Sequence, residues 1–302
     1  MDRASTLNDL DLREAVLQTA VYADVFDYPL TLAEIYRYLS GMRASREEVK
    51  RVLHEGSVLH ASDEYYTLPN REGLAGVRRQ REQIAGRLWP MAIWYGRMIA
   101  CLPFVRMVAV TGSLAMCNVD RDPDIDYFIV TAPGRLWMVR AMVLAVARAA
   151  ALQGVRLCPN YLVTEEALIF PTQTLYAAHE LSQMVPIFGL DLYERICRLN
   201  PWRDRFLPNA HGLPPITDQI SIRAVNPALK PLFENLLRLP PGEWIERWEM
   251  ERKIRKLSRE QKDSPESCFA AEYCKGHNLQ HGWHTERVFR ERLEDLRVEV
   301  PA

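Results

Sequence analysis

The sequence has few cysteines, and they are not grouped as they are in disulfide-rich or zinc-binding scaffolds. Six cysteines are scattered at irregular intervals over 302 residues. Four of them have apolar neighbours in the sequence, which suits reduced thiols in a protein core. We therefore expect no disulfide bonds.

A long apolar run free of charge is also lacking. The most apolar stretch, residues 136–152, is interrupted by Arg140 and Arg148, whereas a membrane span requires roughly 18 apolar residues in succession. The first residues show no basic patch followed by an apolar segment, as secretion would require. We expect a cytoplasmic protein without a membrane partner.

An excess of charge of either sign is missing as well. The chain has 38 Lys and Arg against 39 Asp and Glu, so its net charge favours neither a polyanionic nor a polycationic partner. The apolar share of 48% and the charged share of 25% are typical of a globular protein and exclude disordered and fibrous classes. No Walker loop, GxGxxG, GxSxG or HExxH motif is found. The length suggests roughly two domains.

Residues 1–70 show the pattern of a winged helix. Apolar residues recur at helical spacing over residues 11–26. Two capping boxes then open two further helices, at Thr31 with Glu34 and at Ser45 with Glu48. A short hairpin follows, with strands predicted at 58–59 and 65–68. Three helices followed by a hairpin are the order of elements in a winged helix.

The rest of the chain divides into three parts. The pattern of residues 71–104 predicts linking helices, and we expect Pro90 to break or kink them. Residues 105–170 alternate strands with helices and indicate a sheet-based core. Residues 171–302 return to a helical pattern. The predicted fold class is therefore α+β, with an N-terminal winged helix, a central mixed sheet and a C-terminal helical region.

One constellation within residues 105–170 carries chemistry. An apolar strand ends at Gly112-Ser113, and ten residues later Asp124 and Asp126 flank Ile125. Alternate residues of a strand share a face, so the two carboxylates project side by side. Such a pair repels itself unless a cation lies between its members, and Mg²⁺ prefers oxygen ligands. Gly112 and Ser113 offer a turn where backbone and hydroxyl donors can approach a phosphate.

These residues resemble the DNA polymerase β-like nucleotidyltransferase superfamily, in which an apolar strand and Gly-Ser precede an Asp-x-Asp pair. The resemblance covers about residues 105–163 and implies a polymerase β-like core. It implies that Asp124 and Asp126 bind Mg²⁺ or Mn²⁺, while Gly112 and Ser113 hold the phosphates of an NTP. The implied reaction moves a nucleoside monophosphate to a hydroxyl acceptor, which is a protein, a nucleic acid or a small molecule. Residues 22–31 are similar to bacterial nucleotidyltransferase-like proteins with a helical leader.

The chain departs from this family at the third carboxylate. The family places it on the strand after the long helix, where it helps hold the metal and receives the proton of the acceptor. Here the best-placed polar residue of that strand is Asn160, which we expect at the third ligand position. The nearest carboxylates in sequence are Glu165, Glu166 and Glu180. Two interpretations stay open: an active transferase, or a catalytically degenerate descendant that acts as a nucleotide- or DNA-binding regulator.

Several other patterns have competing interpretations. The aspartate run at 120–126 also suits a solvated turn followed by an edge strand. Nucleic acid is a candidate partner of the winged helix or of the arginine-rich segment from Arg71 to Arg87, although a solvated helix face explains that segment as well. Trp244 and Trp248 are neighbours on one helix, which favours core or interface packing over base stacking. A C-terminal group could bind zinc or lie on the surface, and it comprises Cys268, Cys274, His277, His281 and His284.

Overall fold

The computed structural model describes residues 3–55, 59–120, 123–220, 227–260, 268–276 and 281–299. Over these ranges the chain is an α+β protein with eleven α-helices and nine strands. The helices are α1 (Arg3–Asp24), α2 (Leu32–Arg37), α3 (Arg46–Glu55), α4 (Leu74–Ala100), α5 (Gly112–Ala115), α6 (Leu136–Ala151), α7 (Leu175–Gln183), α8 (Leu190–Leu199), α9 (Lys230–Leu237), α10 (Pro240–Glu260) and α11 (His281–Glu299). The strands are β1 (Leu30–Thr31), β2 (His60–Ser62), β3 (Tyr65–Thr67), β4 (Val105–Thr111), β5 (Asp124–Thr131), β6 (Arg156–Thr164), β7 (Val185–Phe188), β8 (Cys268–Phe269) and β9 (Tyr273–Lys275).

Both predicted capping boxes open helices. The Thr31 hydroxyl accepts a hydrogen bond from the Glu34 amide at 3.3 Å, and the Glu34 carboxylate accepts one from the Thr31 amide at 2.8 Å. The Ser45 hydroxyl and the Glu48 carboxylate form the same reciprocal pair. Each box satisfies amide groups that have no partner inside the helix. Helices α2 and α3 therefore begin where the sequence predicts.

The predicted hairpin is shifted along the chain. Strand β2 spans His60–Ser62, and Ser62 pairs with Tyr65, so the turn is Asp63-Glu64. A positive φ of 55° at Asp63 explains the shift, because this backbone conformation is typical of tight hairpin turns. The prediction of a strand at 58–59 is wrong at Leu59, which precedes β2, and Val58 lies outside the described residues. With β1, the three strands form a small antiparallel sheet.

Helix α4 runs without a break from Leu74 to Ala100 and includes Pro90. The expected break at this proline is therefore wrong. Trp89, Ala92 and Ile99 are buried on the side of α4 that packs against the central sheet. Apolar packing on both sides of Pro90 outweighs the loss of one backbone hydrogen bond.

The central sheet has six strands in the order β7-β4-β5-β6-β9-β8. Strand β5 is antiparallel to β4 and parallel to β6, and α6 makes the crossover between the parallel pair. The sheet is mixed, as predicted, and β5 lies in its interior. The alternative of a turn followed by an edge strand is therefore wrong for Asp124 and Asp126.

The helical prediction for residues 171–302 misses three strands. Strands β7, β8 and β9 come from this region and complete the central sheet on both sides. They span two to four residues each, too short for an alternating pattern to emerge from the sequence. The sheet therefore extends beyond the core predicted at 105–170.

Each face of the sheet buries its own apolar core. Helices α4 and α6 cover one face, where Ile125, Tyr127 and Ile129 of β5 are buried. Helices α7 and α8 lie on the other face, against Phe128 and Val130. Alternation along β5 therefore places its two aspartates on the α7 side.

Helix α7 also contacts the N-terminal region. The ring of His179 lies parallel to that of Tyr22 in α1, with 4.0 Å between the ring centroids. Gln183 Nε2 is 3.1 Å from His179 Nδ1, and an amide nitrogen can only donate, so His179 Nδ1 accepts. The other ring nitrogen is buried without a hydrogen-bond partner. Burial lowers the pKa of His179 to about 3.

We expect His179→Phe to make the protein more resistant to acid. The unfolded chain takes up a proton on this histidine near pH 6.5, whereas the folded chain does not until about pH 3. The free energy of unfolding therefore falls as the pH is lowered from 6.5 toward 3. Phe keeps the stacking on Tyr22 and removes this titration. Urea unfolding at pH 7 and pH 5 should show a loss about 2 kcal/mol smaller in the variant.

The exposed His60 provides the control for this measurement. The His60→Phe variant should lose stability toward acid as the wild type does. An equal loss in the wild type and in His179→Phe would contradict the assignment to His179.

Candidate functional site

The sheet brings one thiol and two carboxylates together. Asp126 pairs with Thr111 of β4 on one side and with Cys158 of β6 on the other. Carboxylate oxygens of Asp124 and Asp126 and the Sγ of Cys158 all lie within 4.8 Å of one another. The predicted side-by-side arrangement of the two aspartates is therefore present. Asp126 is the more buried of the two.

The turn at Gly112 is fitted closely to Asp126. Gly112 has a φ of +66°, in the left-handed region that side chains disfavour. A Cβ at this position would also collide with Oδ2 of Asp126. Glycine is therefore required both for the turn and for the approach of the carboxylate. The exposed Ser113 follows directly, so the Gly-Ser turn and the aspartates adjoin as predicted.

The sheet places Cys158, and not Asn160, directly opposite Asp126; the role of Asn160 as the third ligand stays a prediction. Asp126 pairs with Cys158, and Phe128 pairs with Tyr161, so two residues of β6 lie opposite one residue of β5. This bulge shifts the alternation of β6 and displaces Asn160 from the place directly beside Asp126. Asn160 lines the adjoining cavity instead.

Burial and like charge disfavour ionisation of this cluster in the absence of a cation. Burial, the Asp124 carboxylate and the Glu180 carboxylate together raise the pKa of Asp126 to about 7, against a smaller opposing effect of its hydrogen bond with Cys158. Burial and the two aspartates raise the pKa of the Cys158 thiol to about 12. A cation between the carboxylates would relieve this repulsion.

A cavity of about 540 Å³ opens on the same face of the sheet. Thr111 and Asn160 line it on the sheet side, and Glu180 of α7 and Lys275 of β9 line it from other elements. Burial raises the pKa of Glu180 to about 7, with a smaller opposing effect of the Lys275 charge. Glu180 is near enough for its charge to raise the pKa of Asp126. The aspartates do not line the cavity themselves, but Thr111, the partner of Asp126 in the sheet, does, together with a further carboxylate and a cation.

The three carboxylates nearest to Asn160 in the sequence are Glu165, Glu166 and Glu180, and of these Glu180 faces the site. Glu165 lies beyond the other end of β6, where its amide donates to Thr131 and its carboxylate is 3.7 Å from Arg106. Glu166 follows it in the chain. The two aspartates begin β5, whereas Thr131 ends it, so the length of the strand separates Glu165 from them.

Aromatic rings form much of the cavity wall. Tyr161 and Phe128 meet edge to face at 5.4 Å, and Tyr273 stacks beyond Tyr161 at 6.4 Å. The Lys275 ammonium lies 5.6 Å from the centre of the Tyr161 ring. Trp283 of α11 lines the same space. Flat apolar surfaces of this kind suit a planar ring, and a cation nearby suits a phosphate.

A larger cavity of about 940 Å³ lies elsewhere, among the N-terminal region, α4 and the residues after α5. Glu34, Arg78 and Trp89 are among its lining residues. Neither aspartate lines either cavity, but Thr111, which pairs with Asp126, and Glu180, whose charge raises the pKa of Asp126, line the smaller one. Arg78 pairs with Glu34 at 2.9 Å, so these charges neutralise each other. We therefore place the chemistry at the smaller cavity, next to the aspartates.

Sequence reasoning missed Cys158 as a site residue. From the sequence, Lys275 with His277 could contact a phosphate or lie on the surface, and its place beside the aspartate site depends on the long-range pairing of β9 with β6. Asp126 and Cys158 become neighbours through the parallel pairing of β5 and β6, and a register with a bulge cannot be read from either strand alone. Glu180 was identified by its nearness in sequence, whereas its orientation depends on how α7 packs.

The arginine-rich segment makes mostly internal ion pairs. Four of its side chains lie within 4.0 Å of carboxylates: Arg71 with Asp24, Arg78 with Glu34 and Glu82, Arg79 with Asp63, and Arg81 with Asp120. Paired arginines release few counterions from a nucleic acid backbone. These contacts explain the segment without nucleic acid.

The C-terminal zinc pattern does not form a cluster in the described part of the chain. His277 lies outside the described residues, and no three of Cys268, Cys274, His281 and His284 converge as metal ligands there. All six cysteines are free thiols. Trp244 and Trp248 stack on each other and are exposed, so core packing is wrong for this pair.

Comparisons with protein-family models, curated proteins and solved structures return no significant match for this chain. None of the described helices is both long enough and apolar enough to cross a membrane. The function therefore has to be argued from the residues of the site.

Proposed function

We propose that the protein is a metal-dependent nucleotidyltransferase that moves a nucleoside monophosphate from an NTP to a hydroxyl acceptor. The observation that carries the proposal is the pair Asp124 and Asp126, side by side on a central strand and fitted against the Gly112 turn. A pair of like charges of which one is largely buried is unfavourable unless it binds a cation. A cavity large enough for part of a substrate opens beside it.

The donor set fits a hard divalent cation in part. Asp124 and Asp126 provide the oxygen ligands that Mg²⁺ and Mn²⁺ prefer, whereas the thiol of Cys158 is a soft ligand. Two carboxylates with open positions suit a cation that also binds phosphate oxygens. When bound, Mg²⁺ or Mn²⁺ supplies positive charge that activates the attacking oxygen and stabilises the departing pyrophosphate.

The protein side chains have three roles in the proposed reaction. The Gly112 turn and the Ser113 hydroxyl hold the phosphates of the NTP next to the aspartates. Glu180 removes the proton of the acceptor hydroxyl. The hydroxyl oxygen bonds to the α-phosphorus of the NTP, and the bond between this phosphorus and the departing pyrophosphate breaks. A carboxyl with a pKa of about 7 can accept this proton at neutral pH. Lys275 and the aromatic wall position the nucleotide.

The proposal extends to the architecture. The order strand β4, Gly-Ser turn, β5 with two aspartates, helix α6 and parallel strand β6 supports a polymerase β-like core. Helices α1–α3 with the hairpin β2–β3 support a winged helix. We propose that this N-terminal unit is a scaffold, because the charges of α3 nearly cancel.

Two measurements test the proposed activity. Calorimetry with different NTPs should show that at least one of them binds in Mg²⁺ or Mn²⁺ and that none binds in EDTA. Pyrophosphate release should then be followed with a protein, an RNA or a small hydroxyl compound as acceptor. Release that depends on metal and acceptor supports a transferase, and absence of metal-dependent NTP binding contradicts the site.

Cys158 favours a second candidate function. The family-like pattern has a carboxylate near this position, and a neutral thiol is a poor ligand for Mg²⁺. A degenerate protein would bind an NTP as a regulator and release no pyrophosphate with any acceptor. Binding without turnover in the two measurements above would favour this second function.

Replacing Cys158 with Asp should strengthen Mg²⁺ binding. The variant would place a third carboxylate opposite Asp126 in the register, where the wild type has a thiol. Outer-shell partners alone change metal affinity by about 10–100-fold, so we expect a gain of at least about tenfold in Mg²⁺ affinity. Calorimetric titration with Mg²⁺ measures it. Cys158→Ser, which adds no charge, is the control, and equal affinity in both variants would contradict metal binding at this cluster.

A further inference from the structure

Helices α9 and α10 expose their apolar side chains and bury charged ones. Lys230 and Glu234 of α9 are at most 8% exposed, as are Glu246 and Glu249 of α10. Six large apolar side chains of these helices and the joint between them point to solvent, each 49–66% exposed. We call them the outer face: Leu232, Phe233, Leu236, Leu239, Trp244 and Trp248.

Specific hydrogen bonds fix α9 in this orientation. The Lys230 ammonium donates to the carbonyl of Ala100 at 2.9 Å and also to that of Val105. The Glu234 carboxylate accepts from the Phe104 amide at 2.8 Å and from Arg106 at 2.7 Å. Rotating the helix to bury its leucines would break all four contacts.

Helix α10 is fixed in the same way. The Glu246 carboxylate accepts from the amides of Trp137 at 3.0 Å and Met138 at 2.6 Å, in the first turn of α6. These amides have no partner inside α6, and a carboxylate there is favourable. The outward direction of Trp244 and Trp248 therefore follows from the contacts of Glu246 on the inner side.

The outer face is as large as one side of a stable interface. At about 200 Å² for each large side chain when fully exposed, the exposed fractions of its six side chains correspond to on the order of 700 Å². Each partner in a standard-size protein interface buries about 800 Å². Aromatic and aliphatic side chains next to arginine are the composition of interface centres. Arg252 lies 5.0 Å from the Trp248 ring at the edge of this face.

The charges along α10 suit a second copy of the same helix in antiparallel orientation. Its first half exposes Glu243 and Arg247, whose charges cancel, whereas its second half exposes four cations against two carboxylates: Arg252, Arg255, Lys256 and Arg259 against Glu251 and Glu260. A two-fold axis near Trp248 would place the basic half of one copy beside the neutral half of the other, whereas parallel packing would bring the two basic halves together. A membrane of anionic lipid suits the face less well, because the exposed charges within one turn of the tryptophans cancel: Glu243 and Glu251 against Arg247 and Arg252.

We propose that the outer face is the interface of a two-fold symmetric homodimer in which α10 packs antiparallel against its copy. This inference does not depend on the proposed activity. It also explains why large apolar side chains are kept on the surface, since an unpaired patch of this size favours aggregation.

Molar mass in solution tests the dimer. Sedimentation equilibrium over a hundredfold range of micromolar concentrations should give about 70 kDa for the wild type, twice the 34.9 kDa of one chain. Trp248→Arg in α10 and Leu236→Arg in α9 should each weaken dimerisation at least a hundredfold, with the far-ultraviolet circular dichroism unchanged. Two variants on different helices keep the test decisive if one fails to fold.

A matched control changes an exposed leucine outside this face. Leu152, 90% exposed after α6, is replaced by Arg and should leave the dimer intact. A wild-type mass of one chain at all concentrations overturns the proposal, as does a dimer that persists in both folded variants. A monomer that binds phosphatidylserine vesicles through the outer face would assign it to a membrane and overturn the dimer.

Discussion

Replacing Asp126 with Asn is expected to abolish Mg²⁺-dependent NTP binding and to stabilise the metal-free protein. Binding is lost because one of the two carboxylates that hold the cation is removed, and Asp124→Ala should lose it for the same reason. Stability is gained because burial and the charge of Asp124 raise the pKa of Asp126 to about 7. Calorimetry in Mg²⁺ and thermal unfolding in EDTA measure the two effects.

The pH dependence of the second effect has a definite sign. A carboxyl in the unfolded chain titrates near pH 3.8, whereas Asp126 in the folded chain holds its proton up to about pH 7. The free energy of unfolding of the wild type therefore falls as the pH rises between these values. The variant lacks this loss, so its advantage should reach about 4 kcal/mol above pH 7 and vanish below pH 4.

Asp191→Asn is the control for both measurements. Asp191 is exposed in α8, which begins beside the Arg106 end of β4, opposite the Gly112 turn. This variant should bind Mg²⁺ and NTP as the wild type does. Unchanged nucleotide binding in Asp126→Asn would contradict the site directly. A loss of binding together with a loss of stability would indicate a purely structural role.

Local signals in the sequence were sufficient for the starts of α2 and α3 and for the two strands next to the aspartate site. The capping pairs at Thr31 and Ser45 set the first residues of α2 and α3, because side-chain oxygens next to helix amides act over a few residues. The apolar run before Gly112 predicted β4, and alternation predicted that Asp124 and Asp126 share a face. These features depend on spacing of two to four residues, which a single sequence displays.

The rest of the site depends on contacts between distant residues. The bulge after Cys158 moved Asn160 from the expected position, and it arises only when β6 pairs with β5. Lys275 reaches the cavity through a three-residue strand more than a hundred residues after Tyr161, its partner in the sheet. Long-range pairing of short strands leaves no periodic pattern, so the sequence predicted the aspartate pair and the Gly112 turn but not the positions of Cys158 and Lys275 around them.

The same limit applies to the outer face of α9 and α10. Trp244 and Trp248 were expected in core or interface packing, and apolar spacing alone cannot distinguish the two. Burial of Lys230 and Glu246 decides the orientation, because each satisfies backbone groups of another element. These hydrogen bonds outweigh the gain from burying the apolar face of the helix, because turning that face inward would leave the backbone groups without partners.

Replacing Glu180 with Gln is expected to reduce turnover about a hundredfold while leaving NTP binding unchanged. Gln has nearly the same shape and cannot accept the proton of the acceptor hydroxyl, and a positioned base contributes about 10²–10⁴-fold to a rate. The residue lines the cavity and lies near Asp126, whose pKa its charge raises. Steady-state pyrophosphate release against pH should also lose the limb near pH 7, since burial raises the pKa of Glu180 to about 7.

Glu165→Gln separates this role from a general effect of removing a carboxylate. Glu165 is in the same stretch of candidate carboxylates but pairs with Arg106 beyond the other end of β6, so its variant should keep both turnover and the pH profile. Metal binding in Glu180→Gln should also persist, because the side chain lies outside the 4.8 Å cluster of Asp124, Asp126 and Cys158. Equal turnover in Glu180→Gln and the wild type would exclude Glu180 as the base. A loss of nucleotide binding in that variant would instead indicate that Glu180 holds the metal or the substrate, and the proton would then require another acceptor.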